Sequence, residues 1–259
     1  MRVAGVGLSI IDVYEDLNKF YPTGNSVDFL VHLSRKGINT TMYTVVGTDK
    51  YGEIMIDFLN KEKIDTFNVE IKEGTTAVFK MGLENNDRIH KEKIEGVMKE
   101  FSLSEKDIKT LSEYDYIHTN FSGRTTKYLH EFKKKGAKVI FDFSTKVNKG
   151  FFDTLRYVDY AFFSYERDDA HIREFMKEAQ SKGPRLIVVT LGEKGSIAYN
   201  GKQFYKGDII PVTAVNTVGA GDSFCAGFMF GIMQNESIQR CLEIGSKFAY
   251  RVVKKFEPY

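Results

Sequence analysis

The chain has 259 residues, enough for one large α/β domain or two modest ones with a substantial core. Its 37 Lys and Arg residues against 35 Asp and Glu residues give a formal net charge of +2, which argues against nucleic acid and against a polybasic membrane contact. The two cysteines supply neither a disulfide framework nor four zinc ligands, and the five histidines show no metal-binding spacing. Two free thiols fit a reducing, cytoplasmic setting.

The N-terminal apolar run predicts a first strand and not a signal peptide, because Asp12 interrupts it before any cleavage pattern. Charges interrupt every later apolar run, so no stretch approaches the roughly 20 residues of a membrane span. We therefore expect a soluble, cytoplasmic protein.

Short β-rich runs alternate with helical patterns, which predicts a mostly parallel central sheet with helices on both faces. The predicted elements of the first half are, in chain order, a strand over 3–7, a helix over 26–36, a strand over 40–46, a helix over 51–61, strands over 76–83 and 88–95, a helix starting at 104, a strand over 116–119 and a helix over 125–135. Those of the second half are strands over 138–143 and 160–164, a helix over 167–181, a strand over 186–190, a hairpin near 200–201, and helices over 219–233 and 237–255. No linker divides them, so we predict a single domain over 1–259 with a small β lid built from about 10–25 and 69–99.

Glycine-rich turns after strands are where open α/β sheets bind ligands. Gly5-Val6-Gly7 begins like a dinucleotide fingerprint, but Ile10 stands in the third glycine position, which disfavours NAD or FAD. No segment has the spacing of a Walker A loop. The segment Thr-Leu-Gly-Glu-Lys-Gly at 190–195 either brings the backbone close to a flat or anionic ligand or simply joins two strands.

The segment 216–224 leads into a predicted helix. Small residues at 219–221 leave amide N–H groups bare at the helix N-terminus, which attracts an anion such as a phosphate. Asp222 lies in the first turn, close enough to take a proton from a hydroxyl that attacks the same phosphate. The alternative is that Asp222 only caps the helix.

These residues resemble the C-terminal signature of the ribokinase-like (PfkB) carbohydrate kinases, D-T-x-G-A-G-D, since Thr217 precedes Gly-Ala-Gly-Asp at 219–222. The segments Gly-Thr-Asp-Lys-Tyr-Gly at 47–52 and 190–195 are similar to the family's G-x-D-x-x-G and T-x-G-x-x-G segments, in the same order. The resemblance covers the whole chain. It implies an α/β, ribokinase-like fold and an ATP-dependent sugar kinase that requires Mg²⁺.

The resemblance implies a role for each matching residue. Asp222 is the implied catalytic base, with Gly219, Ala220 and Gly221 as the anion hole. The implied sugar ligands are Asp12, Gly24, Asn25 and Asp28, and the implied nucleotide ligands are Thr190, Gly192, Lys194, Gly195 and Thr217. It assigns no metal ligands and leaves open whether a monovalent cation such as K⁺ supports the anion hole.

The lid residues resemble those of family members that act on fructosamines, which are sugars joined to an amino acid. The likeness lies in residues 12–14, 24–27, 86–88, 95–98, 101–105 and 141–144. It implies phosphorylation of a fructosamine such as fructoselysine at its 6-hydroxyl, with Arg88 as partner of the amino-acid carboxylate and Glu95 and Asp142 as further candidates. The alternative is that Arg88, Glu95 and Asp142 are ordinary polar residues with no role in binding. The alternative acceptors are those of a fructokinase, a ribokinase or a 2-keto-3-deoxygluconate kinase.

Some positions depart from the family pattern. Leu8 stands where the family often has an acidic residue, and Thr23 replaces the first glycine of a Gly-Gly pair. Asp28 replaces Asn, and Asn216 replaces Asp. Ser164 and Arg167 replace the Asn and Glu of an N-x-x-E segment. These departures motivate a different class, a non-catalytic sugar sensor. The lid residues Val78, Phe79 and Met81 predict either the face of a homodimer or packing on the sugar side.

Overall fold

The computed structural model describes residues 1–84 and 87–259, with the backbone alone for 83, 84, 87, 88 and 90. Within these ranges the strands are β1 (Arg2–Val6), β2 (Ile10–Tyr14), β3 (Lys19–Thr23), β4 (Asn39–Gly47), β5 (Val69–Lys72), β6 (Val78–Glu84), β7 (Asp87–Ile94), β8 (Tyr116–Asn120), β9 (Lys138–Asp142), β10 (Tyr160–Ser164), β11 (Leu186–Thr190), β12 (Ser196–Tyr199) and β13 (Phe204–Gly207). The helices are α1 (Asn25–Ser34), α2 (Lys50–Lys61), α3 (Glu105–Leu111), α4 (Leu129–Phe132), α5 (Phe152–Leu155), α6 (Ala170–Gln180), α7 (Ala220–Met233) and α8 (Ile238–Val252).

Nine of these strands form one sheet in the order β13-β12-β11-β10-β9-β8-β1-β4-β5. Neighbouring strands from β11 to β5 are parallel, whereas β12 and β13 form an antiparallel hairpin at the other end. The predicted mostly parallel α/β sheet is confirmed. Because parallel strands point the same way, their carboxyl ends share one edge of the sheet, where ligands of such folds bind.

Helices cover both faces of this sheet, as predicted. Alternate residues of a strand point to opposite faces, so Ile187 and Val189 of β11 join one core cluster and Val188 joins the other. The first cluster packs against α3 to α6, and the second against α1, α2, α7 and α8. Burial of both faces explains why the strands read as continuous apolar runs. None of the helices in the described ranges is both long enough and apolar enough to cross a membrane.

A second sheet of four strands, in the order β3-β2-β6-β7, is built from residues 10–23 and 78–94. Its small core contains Tyr14, Tyr21 and Met81, packed against Phe79 and Phe256. Residues 69–72, which the sequence assigned to the lid, instead extend the main sheet by pairing with β4. The second sheet is thus smaller than the predicted lid.

The lid residues that the sequence suggests for a dimer face make contacts within the chain. Val78 and Met81 are buried, and Phe79 lines the cavity described below. Phe79 thus faces the predicted sugar side, whereas Val78 and Met81 pack into apolar clusters. A homodimer stays a prediction.

The predicted helix over 125–135 is present only as the single turn of α4, flanked by 3₁₀ turns at 126–128 and 133–135. Leu129 and Phe132 are its buried residues. These two residues bury too little apolar surface to stabilise a longer regular helix.

Candidate active site

A cavity of about 500 Å³ is lined by residues of β2, β3 and β6 and by the first turns of α1 and α7. It brings together these residues of the predicted site: Asp12, Gly24, Asn25, Asp28, Thr217, Gly219 and Asp222. Leu8, Ile10, Thr23, Phe79 and Val218 complete the lining. Nothing in the sequence marks Ile10 and Val218 as site residues, because an apolar residue does not itself signal that it faces a ligand.

The first turn of α7 forms one wall of the cavity. Gly219 caps the helix in a left-handed conformation (φ 72°), and a Cβ atom there would lie 2.4 Å from Cβ of Pro258. Ala220 donates its N–H to the carbonyl oxygen of Thr217 at 3.2 Å, so this predicted anion-hole amide is already engaged. Gly221 is exposed, with nothing described within 4 Å of a Cβ placed there. Space for an anion therefore lies beside Gly221.

Asp222 lies in this same turn of α7, half-buried at the cavity. The Asn25 side chain, in the first turn of α1, donates from Nδ2 to Oδ1 of Asp222 and to Oδ2 of Asp142, the latter at 2.7 Å. Asp142 also accepts the N–H of Ser144 at 2.7 Å. Burial raises the pKa of Asp142, and these two hydrogen bonds act against the rise. Side chains from three elements thus meet at the candidate base.

The cavity lining includes two more carboxyl groups. Asp12 of β2 and Asp28 of α1 are both buried. Thr23 donates its hydroxyl to Oδ2 of Asp28 at 2.7 Å, so two departures from the family pattern contact one another. A Cβ at Gly24 would lie 2.2 Å from the carbonyl oxygen of Leu8, which leaves room only for glycine.

The cavity is acidic. Its lining in the described part of the chain includes three carboxyl groups, those of Asp12, Asp28 and Asp222, and no Lys, Arg or His. Carboxyl oxygens in such a lining can accept hydrogen bonds from the hydroxyl groups of a ligand.

The predicted nucleotide segment lies outside this cavity. Thr190 ends β11, and Gly192, Lys194 and Gly195 belong to the turn that follows. Thr190 Oγ1 lies 3.0 Å from Ser164 Oγ, and Lys194 is exposed. The turn shares the carboxyl edge of the main sheet with the cavity, because β11 stands two strands from β9, which ends at Asp142.

Asn216 precedes the α7 turn and is buried. Its Nδ2 donates to the carbonyl oxygen of Phe256 at 2.8 Å, while its Oδ1 accepts the N–H of Val218 at 3.1 Å. An ionised Asp could not make the first bond, because a carboxylate only accepts. This departure from the family pattern thus connects the loop before α7 to the C-terminal segment.

The altered N-x-x-E region is occupied by ion pairs. Arg167 pairs with Asp169 at 3.2 Å, and Asp168 contacts Arg173 and Lys206. Hydrogen bonds from Arg173 and Lys206 lower the pKa of Asp168 to about 2. Across residues 1–84 and 87–259, no group of three His, Cys, Asp or Glu side chains is arranged to hold a metal ion.

The roles of the remaining lid candidates, Arg88 and Glu95, stay predictions. Arg88 belongs to β7, but its side chain lies outside the described residues, so its role stays a prediction. Glu95 forms an ion pair with Lys93 at 2.8 Å, and the hydrogen bond from Lys93 lowers the pKa of Glu95.

Known proteins resemble this chain over nearly its whole length. The model of the pfkB family carbohydrate kinases matches residues 14–259. The chain is 36% identical over 253 residues to the fructoselysine 6-kinase of Escherichia coli (strain K12), covering 97% of each. It is 29% identical over 258 residues to the fructosamine kinase FrlD of Bacillus subtilis (strain 168), covering 96% of this chain and 89% of that one.

Solved structures share the fold. A ribokinase of Arabidopsis thaliana complexed with ribose and ATP has a TM-score of 0.84 at 17% identity, covering 99% of this chain and 93% of that one. The adenosine kinase of Sinorhizobium meliloti has a TM-score of 0.83 at 17% identity, covering 99% and 95%. The predicted ribokinase-like fold is confirmed.

Proposed function

The chain belongs to the pfkB family of carbohydrate kinases, and from that premise we propose that it transfers the γ-phosphoryl group of ATP to a fructosamine, with the 6-hydroxyl of fructoselysine as the favoured acceptor. The observation that carries the proposal is the acidic cavity that ends at Asp222 and the N-terminus of α7. The likeness to fructoselysine 6-kinase supports the acceptor class.

The proposed chemistry takes place in the first turn of α7. Asp222 accepts the proton of the acceptor hydroxyl while the hydroxyl oxygen attacks the γ-phosphorus of ATP. The bond between the γ-phosphorus and the oxygen of the leaving ADP breaks. The positive end of the helix and the amides of Gly219 and Gly221 stabilise the charge on the transferring phosphoryl group, since the amide of Ala220 donates to Thr217. Base and anion site stand within one helical turn, so the hydroxyl and the phosphate meet there.

Two carboxyl groups beyond the candidate base bear on the acceptor class. A fructosamine contains a secondary amine that carries a proton near neutral pH, whereas free fructose and ribose are neutral. One carboxylate suffices as the base, yet Asp12 and Asp28 add two more to the lining. Asp28 stands where the family pattern has Asn, so it adds a negative charge with almost no change of size. We assign Asp28 and Asp12 to the ammonium group and the sugar hydroxyls.

We assign the nucleotide to the far side of Asp222, with Thr190, Gly192, Lys194, Gly195 and Thr217 as ligands. An Mg²⁺ ion would be held mainly by the nucleotide phosphates and water. When bound, such an ion neutralises charge on the phosphates. Closure of the second sheet over the sugar would exclude water from the reaction. A role for K⁺ beside the anion hole stays a prediction.

ATP consumption by the purified protein tests the activity and the acceptor together. The acceptors to compare are fructoselysine, a second fructosamine, fructose, ribose and 2-keto-3-deoxygluconate. We expect the fructosamines to be turned over fastest, and we expect Asp222→Asn to lower kcat by about 10²–10⁴-fold through loss of the base. Sugar binding without ATP consumption would support the non-catalytic sensor instead.

Asp28→Asn tests the charge argument on its own. It keeps the shape of the side chain and removes one negative charge, so we expect kcat/KM for fructoselysine to fall by about 10–100-fold, equivalent to one charge-assisted contact. The kcat/KM for fructose should stay level or rise. Equal losses for both acceptors, or turnover of fructose alone by the unmodified protein, would contradict a fructosamine acceptor and leave the kinase in place.

A further inference from the structure

The side-chain amide of Asn25 joins two carboxyl groups that belong to different elements. Its Nδ2 donates to Oδ2 of Asp142 at the end of β9 and to Oδ1 of Asp222 in α7. An amide nitrogen carries two hydrogens, so both of its donors are used inside the protein. The amide therefore has no hydrogen left for a sugar hydroxyl while these bonds last.

The orientation of the Asn25 amide follows from its partners. Ionised carboxylates only accept hydrogen bonds, so a reversed amide would set its oxygen against two negatively charged oxygens. Asp142 is itself held in place, because Ser144 donates its N–H to Oδ1 of Asp142 at 2.7 Å. Oδ1 of Asn25 is buried and has no hydrogen-bond partner among the described residues. The two carboxylates alone thus fix the amide.

We propose that Asp142 and Asn25 are positioning residues: Asp142 fixes the Asn25 amide, and the amide holds the Asp222 carboxylate in the orientation that receives the acceptor proton. This inference rests on the kinase activity proposed above, and it replaces the role of sugar ligand that the sequence suggested for both residues. A carboxylate that rotates freely loses its alignment with the attacking hydroxyl. A misplacement of about 1 Å can lower the rate by about 10²-fold.

Substituting a positioning residue and substituting a sugar ligand change different kinetic and binding constants. Removing a ligand weakens acceptor binding, so the acceptor Kd and KM rise. Removing a positioning residue lowers kcat and leaves the acceptor Kd nearly unchanged. Measuring Kd by calorimetry without ATP, beside kcat with ATP, separates the two roles.

The test uses Asp142→Asn, Asn25→Ala and the double variant. Asp142→Asn keeps the shape of the side chain but replaces one acceptor oxygen by an NH₂ group. That group must face either Asn25 Nδ2 or the N–H of Ser144, both of which are donors, so one hydrogen bond is lost. We expect each single variant to lower kcat by about 10–100-fold with an acceptor Kd within about two-fold of the unmodified protein. Because both substitutions break one chain of contacts, the double variant should be no slower than the slower single variant. Asp153→Asn, the same substitution at a side chain that is 97% exposed, should keep full activity.

Three results would overturn the proposal. One is an acceptor Kd that rises in step with the loss of activity, which restores the role of sugar ligand. Another is a double variant whose loss is the product of the single losses. The third needs no turnover and so covers a protein without kinase activity: a crystal structure of the Asp142→Asn protein in which Asp222 keeps its orientation. If another sugar is the substrate, the fructosamine proposal fails separately, and the kcat and Kd comparison is made with that sugar.

Discussion

His118 shows how one buried side chain sets a pH dependence. It lies in β8, stacks on Phe29 with ring centroids 4.0 Å apart, and contacts Oγ of Ser26 through Nδ1 at 3.0 Å. Burial lowers the pKa of His118 to about 3, whereas a histidine in an unfolded chain titrates near about 6.5. Between these values the unfolded state binds more protons. The contribution to stability is therefore complete above the unfolded pKa and declines as the pH falls.

We expect His118→Gln to remove the part of the pH sensitivity that comes from His118, whereas His32, whose pKa burial lowers to about 4, keeps its own contribution. Bringing the protein from neutral pH to about pH 5 should cost about 2 kcal/mol of folding free energy through His118 alone. Urea denaturation at both pH values measures the difference, which should shrink by that amount in the variant even if the variant is less stable overall. His130→Gln, at a side chain that is 49% exposed, is the control. The same difference in both variants would contradict this assignment.

At the scale of elements, the first turn of α7 contains two glycines under opposite constraints. Gly219 has a positive φ and touches Pro258, so Gly219→Ala should lower the free energy of unfolding by about 1–3 kcal/mol. Gly221 has open space, and alanine there should leave stability level or raise it by up to about 1 kcal/mol. Its methyl group would nevertheless occupy the space that we propose for the phosphoryl group, so kcat should fall. A Gly221→Ala protein with unchanged kinetics would remove the anion site from this turn.

Periodicity predicts the main-sheet elements well, because strands buried on both faces are continuous apolar runs bounded by helical patterns. It misses strands of mixed exposure. In β5, Glu70 and Ile71 are exposed and Val69 and Lys72 are half-buried, so its burial shows no alternation. The contacts of Asn25 with Asp142 and Asp222 span 117 and 197 residues, and no local pattern encodes such a meeting. The sequence can name these residues through family resemblance, but their mutual geometry requires the fold.

At the scale of the whole molecule, the C-terminal segment connects the second sheet to the active site. The ring of Phe256 packs on Tyr14 and Tyr21 of the second sheet, with centroids 5.0 and 6.0 Å away. Two residues further on, Pro258 contacts Gly219 at the start of α7. The three residues 256–258 thus contact both the core of the second sheet and the helix that carries the candidate base.

Tyr259 adds a third contact, since its hydroxyl donates to the carbonyl oxygen of Pro22 in β3 at 2.8 Å. The strand β3 leads directly into Gly24 and Asn25 of the cavity. The position of these cavity residues therefore depends on packing between segments that are far apart in sequence.

Phe256→Ala should loosen the second sheet and weaken acceptor binding. Removing the ring takes an aromatic partner from Tyr14 and Tyr21, which we expect to lower the free energy of unfolding by about 2 kcal/mol, less than for a fully buried ring. Amide exchange should accelerate first in β2 and β3, and KM for the acceptor should rise while KM for ATP stays level. Phe67→Ala, at a side chain that is 82% exposed, is the matched control and should change none of these. Faster exchange spread evenly over the main sheet would mean that Phe256 supports the fold as a whole, and the link from the C-terminal segment to the acceptor site would be wrong.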